Sequence, residues 1–277
     1  MEGGEAVQVL AVANQKGGVG KTTSAVNMAS CLAAAEQKTL LIDLDPQGNA
    51  TSGLGISKHD LTRSIYDVLV NRTPLQDVLV PTHLEYLDLA PSNTQLVGAE
   101  LELVSAFARE TRLTNAIQSL DNIYDYVLID CPPSLNLLTI NAFTAADGVV
   151  VPVQCEYYAM EGLTELVKTI QLVQTHLNQR LQIEGIVLTM FDARNNLARQ
   201  VAGEVRNFFG DKVYGTVIPR NVKLSESPSH GKPIILYDVQ SKGAKSYLEL
   251  TKELICGRLA QNSGQNFIDS HAVGAPH

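Results

Sequence analysis

Residues 14–23 of the chain, NQKGGVGKTT, set three glycines and two lysines between an apolar run and a helical pattern. The run at 7–13, VQVLAVA, predicts a buried strand, and residues 22–35 carry apolar side chains at helical spacing. Glycines leave backbone N–H groups free to face phosphate oxygens, and the amino end of a helix favours the same anion. The sequence therefore predicts a strand, a phosphate-binding loop and a helix, with a nucleoside triphosphate as ligand.

Three side chains of this loop carry specific chemistry. Lys21 can reach the β- and γ-phosphates, and the Thr22 hydroxyl can ligate Mg²⁺. Lys16 adds a second cation five residues before Lys21, where the plain P-loop pattern requires none. The predicted nucleotide-binding residues of the loop are Lys16, Gly17, Gly18, Val19, Gly20, Lys21, Thr22 and Thr23.

Short apolar runs alternate with helical patterns along most of the chain. Continuous apolar runs are typical of parallel strands whose two faces are both covered by helices. The alternation predicts an α/β fold with a doubly wound, mostly parallel sheet flanked by helices, as in P-loop NTPases. The predicted strands are 7–13, 39–43, 86–90, 126–130, 148–153 and 183–189, and the predicted helices are 22–35, 134–146, 162–177, 196–209 and 243–259.

Composition and length agree with one globular unit. Of the 277 residues 45% are hydrophobic, and no Pro/Ser-rich linker interrupts the alternation, so we expect a single domain over 1–260. Residues 261–277 are polar and aperiodic, which predicts a disordered tail. The four cysteines lack a CxxC pair, which argues against a disulfide framework or a zinc site. An acidic start and the lack of a long apolar run predict a cytoplasmic protein.

Aspartates follow two of the predicted strands. Residues 40–50, LLIDLDPQGNA, hold Asp43 and Asp45, which would share one side if the strand continued that far. Residues 126–134, YVLIDCPPS, end a strand at Asp130, and two prolines then stop regular pairing. Doubly wound sheets bind ligands at the carboxyl ends of their strands, where a carboxylate can hold Mg²⁺. The alternative for the first two aspartates is a turn or helix-capping role.

The loop sequence KGGVGKT resembles the deviant Walker A motif of the ParA/MinD family of P-loop ATPases. DLDPQ resembles the family's Walker A′ motif, and IDCPP resembles its switch II motif. The chain as a whole resembles the ParA/Soj chromosome- or plasmid-partitioning ATPases from about residue 7 to about residue 259. Three further segments carry the likeness to the Soj branch, at 151–163, 188–194 and 218–231.

The resemblance implies a Mg²⁺-dependent ATPase that uses ATP and ADP and forms an ATP-dependent homodimer. In that family the extra lysine, here Lys16, reaches the phosphates of the partner subunit's nucleotide. The residue matching Asp45 orients the attacking water. The expected catalytic residues are therefore Lys16, Lys21 and Asp45.

The same resemblance assigns the rest of the site. Thr22, Asp43 and Asp130 are expected around Mg²⁺. Adenine is expected between the region of Met190 and the region of Pro219 and Asn221. Glu156 is expected near the ribose of the partner's nucleotide.

Proteins of this family also bind double-stranded DNA without sequence preference, and Arg194 and Lys223 match their basic DNA-binding positions. The charge distribution supports a basic face, because residues 180–252 hold 11 Lys/Arg and 7 Asp/Glu within a chain of net charge −8. Arg199 and Arg206 are seven positions apart on a predicted helix and so share a face. The expected DNA-binding residues are Arg194, Arg199, Arg206, Arg220 and Lys223.

Together these features predict an ATP-driven dimerisation switch that segregates chromosomes or plasmids with a ParB-like partner, at the nucleoid. Hydrolysis is expected to be slow without that partner. A membrane-bound relative of the MinD type would need a basic amphipathic carboxyl-terminal helix, and no Lys or Arg follows Arg258. Two alternatives stay open: a ParA-like ATPase that positions another cargo, and a regulator of a replication initiator that acts through protein contacts.

Overall fold

The computed structural model describes residues 7–120 and 123–272, with side chains described up to residue 259. A central sheet of seven strands runs through this part of the chain. The strands are β1 (Gln8–Val12), β2 (Thr39–Asp43), β3 (Val80–Pro81), β4 (Leu87–Ala90), β5 (Tyr126–Asp130), β6 (Gly148–Gln154) and β7 (Gln182–Thr189).

The strands lie in the order β3-β4-β2-β5-β1-β6-β7. Neighbouring strands are parallel, except that β3 pairs antiparallel with β4 at one edge. The mostly parallel sheet predicted from the alternation is therefore confirmed. The antiparallel edge strand was not predicted, because two residues are too few to show a period.

Helices cover both faces of the sheet, and none of the described helices combines the length and apolar character of a transmembrane span. The helices are α1 (Lys21–Ala34), α2 (Asn49–Gly53), α3 (Ile65–Leu69), α4 (Leu96–Leu103), α5 (Arg112–Gln118), α6 (Leu137–Ala145), α7 (Ala159–His176), α8 (Asn196–Phe209), α9 (Val222–Glu226), α10 (Ile234–Tyr237) and α11 (Lys242–Ala272).

Each central strand contributes to two hydrophobic cores. In β1, Val9 and Ala11 face the core beneath α5 to α8, whereas Leu10 and Val12 face the core beneath α1 and α11. Successive side chains of a strand point to opposite faces, so a strand covered on both faces must be apolar at every position. This is why these strands appear in the sequence as continuous apolar runs.

The structure also differs from the sequence prediction in its helices. The helices α2 to α5, α9 and α10 were not predicted, since segments of four to eight residues show about two turns at most. The last helix continues to Ala272, past the predicted end at 259 and into the segment expected to be a disordered tail. The remaining tail, 273–277, lies outside the described residues, and the domain boundary at 260 stays a prediction.

Three strand ends meet at the carboxyl edge of the sheet. Asp130 on β5 is in register with Val12 at the end of β1 and with Asp43 at the end of β2. The phosphate-loop sequence follows directly after β1. Sheet pairing thus brings this loop and two aspartates together, although they lie far apart along the chain.

Candidate nucleotide site at the carboxyl edge of the sheet

The loop between β1 and α1 has two glycines in a left-handed backbone conformation. Gly18 and Gly20 have φ values of 75° and 91°, in the left-handed region that a side chain disfavours. Gly20 is the residue before α1, and at Gly17 and Gly18 a Cβ would have no atom within 4 Å. The loop therefore leaves open space at the amino end of α1, where backbone N–H groups can bind an anion.

Two polar side chains outside the glycine pattern fix the loop in place. Asn14 donates through Nδ2 to the carbonyl of Pro152 at 2.8 Å and accepts from the backbone N–H of Lys16 at 3.0 Å. Thr189 donates through Oγ1 to the carbonyl of Val19 at 2.8 Å. These bonds tie the loop to the ends of β6 and β7. Neither contact was predicted from the sequence, because the partners lie 138 and 170 residues apart in the chain.

Lys21 is the first residue of α1, directly after the loop. Its side chain is buried, and its ammonium donates to the carbonyl of Lys16 at 2.9 Å. Burial lowers the pKa of Lys21, while nearby Asp130, Cys131 and Asp45 raise it. A cation with few partners inside a cradle of backbone N–H groups suits a phosphate ligand.

Lys16 points elsewhere. Its ammonium lies 2.7 Å from Oε2 of Glu156, and the two side chains are 36% and 48% exposed. Gln154 donates to the other carboxylate oxygen of Glu156. Lys16 therefore lies at the surface, and its ammonium is directed to Glu156 rather than to the open space beside Lys21.

Asp43 is fully buried and has its hydrogen bonds satisfied locally. Its Oδ2 accepts from the backbone N–H of Thr51 at 2.8 Å and from the Thr51 hydroxyl at 2.7 Å. Its Oδ1 accepts from the backbone N–H of Asp45 at 3.2 Å. Burial raises the pKa of Asp43 to about 6, and the bonds from Thr51 oppose that rise. Asp43 thus anchors the start of α2 as well as lying beside the predicted metal site.

Asp130 is fully buried, with the Thr22 hydroxyl and Lys21 nearby. Within the described chain neither carboxylate oxygen makes a hydrogen bond of ordinary geometry. Burial first, and then the charge of Asp43, raise the pKa of Asp130 well above its usual value, and the nearby Thr22 hydroxyl and Lys21 offset only part of this rise.

An unpartnered buried carboxylate beside a second carboxylate and a hydroxyl fits a hard cation such as Mg²⁺. The described residues hold no cluster of three His, Cys, Asp or Glu that could bind a metal without further ligands. Mg²⁺ commonly uses one or two protein carboxylates together with phosphates and water. The donor set of Asp130, Asp43 and Thr22 therefore fits Mg²⁺ bound together with a phosphate ligand.

Asp45 does not share the surroundings of Asp43, because β2 ends at Asp43 and the chain then turns. Asp45 is 7% exposed and lines a cleft next to the loop. One of its oxygens accepts from the backbone N–H of Gln47 at 2.9 Å. Asp45 is thus the aspartate of this pair that faces ligand space.

The cleft has a volume of about 740 Å³, which is in the range of ligand pockets. Met190, Pro219 and Asn221, predicted around the base, line it together with the loop and Asp45. Backbone pairing holds the two base segments side by side, since the N–H of Ile218 donates to the carbonyl of Leu188 at 2.8 Å. Sequence reasoning missed other lining residues, among them Gln47, Asn49, Pro133, Thr189, Leu224 and Tyr247.

Four of the five predicted DNA-binding residues are exposed, and two of these form ion pairs. Arg194, whose side chain is 90% exposed, lies 2.9 Å from Asp192, and Lys223 lies 3.0 Å from Glu226. Arg199 and Arg220 are exposed, and Arg220 also borders the cleft.

Arg206 differs from Arg199, although both lie on α8. Its side chain is half-buried and donates to the carbonyl of Gly215 at 3.5 Å. Shared helical spacing therefore did not give the two arginines equal access to a ligand.

Comparison with known proteins finds a matching family model and relatives that are more than half identical in sequence. A family model described as an AAA domain matches residues 7–183. The chain is 59% identical over 247 residues to the sporulation initiation inhibitor protein Soj of Bacillus subtilis, covering 89% of this chain and 98% of that protein. It is 56% identical over 248 residues to the chromosome partitioning protein ParA of Myxococcus xanthus, covering 90% of this chain and 88% of that protein.

A solved structure with the same fold carries a nucleotide. The cobyrinic acid a,c-diamide synthase of Mycobacterium smegmatis, with bound ADP and magnesium, superposes with a TM-score of 0.80. It is 38% identical to this chain, and the likeness covers 90% of this chain and 94% of that one. These similarities cover about nine tenths of this chain, well beyond the length of the nucleotide motifs.

Proposed function

Because the chain belongs to the ParA/Soj family of chromosome-partitioning ATPases, we propose that it acts as an ATP-driven dimerisation switch on DNA. Its cofactors are ATP or ADP and Mg²⁺. The observation that best supports this switch is that the two lysines of the motif lie in different surroundings. Lys21 lines the cleft, whereas Lys16 lies at the surface against Glu156.

In the nucleotide-bound chain, the loop N–H groups and Lys21 bind the phosphates, and the base lies between Met190 and the segment of Pro219 and Asn221. Asp130, Asp43 and Thr22 would hold Mg²⁺, which neutralises phosphate charge when bound. Lys21 already lines the cleft, so its side chain can meet a phosphate there without moving.

Lys16 is the residue that makes a dimer necessary. Its ammonium faces away from its own cleft, so we infer that it meets the phosphates of a second subunit placed face to face. Glu156 would then exchange its bridge to Lys16 for the ribose of that subunit's nucleotide. The γ-phosphate charge that Lys16 neutralises is what holds the two subunits together.

Hydrolysis ends the dimer. Asp45 lines the cleft with one oxygen held by Gln47, which supports a role in orienting the attacking water. Loss of the γ-phosphate removes the ligand that Lys16 holds, so the subunits separate. We expect slow turnover until a ParB-like partner completes or stabilises this arrangement.

The dimer binds DNA because it doubles the number of basic contacts. Arg194, Arg199, Arg220 and Lys223 are exposed, and phosphate neutralisation needs no base readout. Linking two patches in one dimer raises the effective concentration of the second patch once the first is bound. We therefore propose that only the ATP form stays on the nucleoid, and that Arg206 contributes less than the other four.

The test is the binding of random-sequence duplex DNA with ATP, with ADP or without nucleotide, over a series of salt concentrations. We expect tight binding only with ATP, and affinity that falls steeply as salt rises. Arg194→Glu should weaken this binding by at least about tenfold, since each dimer loses two phosphate contacts.

Arg63→Glu is the matched control, because Arg63 also pairs with an aspartate, Asp77, but lies outside the basic segment. It should change DNA affinity little. ATP-induced dimers that ignore DNA would contradict the DNA part of the proposal and would favour a regulator that acts through protein contacts.

A further inference from the structure

Tyr157 and Tyr158 form an exposed aromatic pair between β6 and α7. They are 76% and 65% exposed, with ring centroids 5.1 Å apart and ring planes at 88°. Both rings lie outside the lining of the cleft. Large aromatic rings with one polar atom are enriched in the buried centres of protein interfaces.

The pair belongs to the same surface as the outer side of the phosphate loop. Glu156, the residue before the pair, bonds Lys16 at 2.7 Å. Gln15 of the loop donates to the carbonyl of Gly162, the fourth residue of α7, at 3.4 Å. Residues 154–162 and the loop therefore form one continuous face, which we call the loop face.

We infer that Tyr157 and Tyr158 are the apolar anchors through which a second copy of this chain docks on the loop face. The inference rests on the proposed function, which sets Lys16 across a subunit interface. Whatever surface surrounds Lys16 must then meet the partner subunit, and the tyrosine pair is next to it.

The charges of the loop face fit a copy of itself. In a two-fold interface the same patch is used by both subunits, so it must be self-complementary. Lys16 and Glu156 lie side by side on this patch, so a two-fold arrangement lets Lys16 meet the phosphates and Glu156 the ribose of the partner subunit's nucleotide while both subunits use the same patch. The tyrosine rings next to them exclude water, which strengthens such charge contacts.

The test compares nucleotide-dependent dimerisation of the full chain and of two double variants. With a non-hydrolysable ATP analogue and Mg²⁺, the Tyr157→Ser/Tyr158→Ser variant should have a dimer dissociation constant raised by at least about 30-fold, measured by sedimentation. The Tyr157→Phe/Tyr158→Phe variant should stay within about threefold of the unchanged chain, because the rings carry the contact. Both variants should bind ADP normally, since the rings lie outside the cleft.

Phe107→Ser is the matched control, because Phe107 is 86% exposed between α4 and α5 and belongs to a different surface. It should leave dimerisation unchanged. Dimers of normal strength in the serine variant would overturn the inference, as would a serine variant that dimerises but loses DNA or partner-protein binding. If the unchanged chain stays monomeric with the analogue, the proposed switch itself fails, and that result is distinct from failure of the variants alone.

Discussion

Lys16 and Glu156 lie 140 residues apart in sequence, and their side chains meet at 2.7 Å on the surface next to the phosphate loop. Both side chains are more than one third exposed, so the bridge contributes on the order of 1 kcal/mol or less. Such a bridge is weak enough to open when a better partner for Lys16 arrives. It holds the lysine that the sequence motif singles out in a defined resting position.

Replacing Glu156 in two ways separates its roles. Glu156→Gln removes the charge that holds Lys16 but keeps an oxygen that can accept from a ribose hydroxyl, so ATP-dependent dimerisation should strengthen by up to about fivefold. Glu156→Ala removes both roles and should weaken dimerisation relative to the glutamine variant. Sedimentation with a non-hydrolysable analogue measures both. Equal effects of the two substitutions would contradict the ribose contact.

Replacing Lys21 should impair ATP binding, whereas replacing Lys16 should impair dimer formation. Lys21→Ala should weaken ATP binding by at least about 100-fold, because a buried charge contact to phosphate is lost. Lys16→Ala should keep ATP affinity within about threefold while no dimer forms, because its ammonium lies outside its own cleft. Titration with a fluorescent nucleotide measures ATP affinity, and sedimentation measures dimer formation. Lys168→Ala, at an exposed surface pair with Glu165, is the control and should change neither step.

Asp130→Asn should stabilise the nucleotide-free chain while damaging the site. The fold disfavours the ionised Asp130, as its raised pKa indicates, and asparagine carries no charge. The free energy of unfolding should rise by about 1–2 kcal/mol in urea titrations without nucleotide. The extra stability that Mg²⁺ gives to the ATP-bound chain should be lost. Asp60→Asn, an exposed position, serves as the control, and a destabilised Asp130 variant would contradict the assignment.

Gly231 is expected to tolerate no side chain. Its φ is 61°, and a Cβ there would lie 2.7 Å from the Cα of Gly55. Gly231→Ala should lower the free energy of unfolding by about 2–4 kcal/mol. The backbone at Gly55 would have to move away from the new Cβ, and the alanine would have to adopt a left-handed φ. Gly203→Ala is the opposite control: a Cβ in the middle of α8 meets nothing within 4 Å, so stability should rise by about 0.5–1 kcal/mol. Thermal unfolding of the two variants should shift in opposite directions.

Thiol labelling should modify one cysteine per folded chain. Cys31, Cys131 and Cys155 are buried, whereas Cys256 is exposed. Burial raises the pKa of Cys31 to about 12 and that of Cys155 to about 11, so little reactive thiolate exists at neutral pH. Cys256→Ser should abolish labelling of the native chain, and all remaining thiols should react after unfolding. Two fast thiols in the native chain would contradict this description of the core.

Much of the fold could be predicted because its signals are local. The run at β1, the glycines after it and the helical spacing in α1 lie within thirty residues, and each has its own physical signature. The order of the strands in the sheet has no such signature. It depends on which apolar faces pack together, and α2 to α5 form only because that packing holds short segments in place.

The sequence by itself determined the phosphate loop, the parallel sheet and the acids at its edge, since spacing and residue type dictate them directly. Only the tertiary structure decided that Asp43 is tied to Thr51 while Asp130 stays unpartnered, and that Arg206 is half-buried while Arg199 is exposed. It also decided that Lys16 rests against Glu156. Hydrogen bonds and burial of this kind depend on neighbours brought from distant parts of the chain, and a one-dimensional pattern contains no information about which neighbours those are.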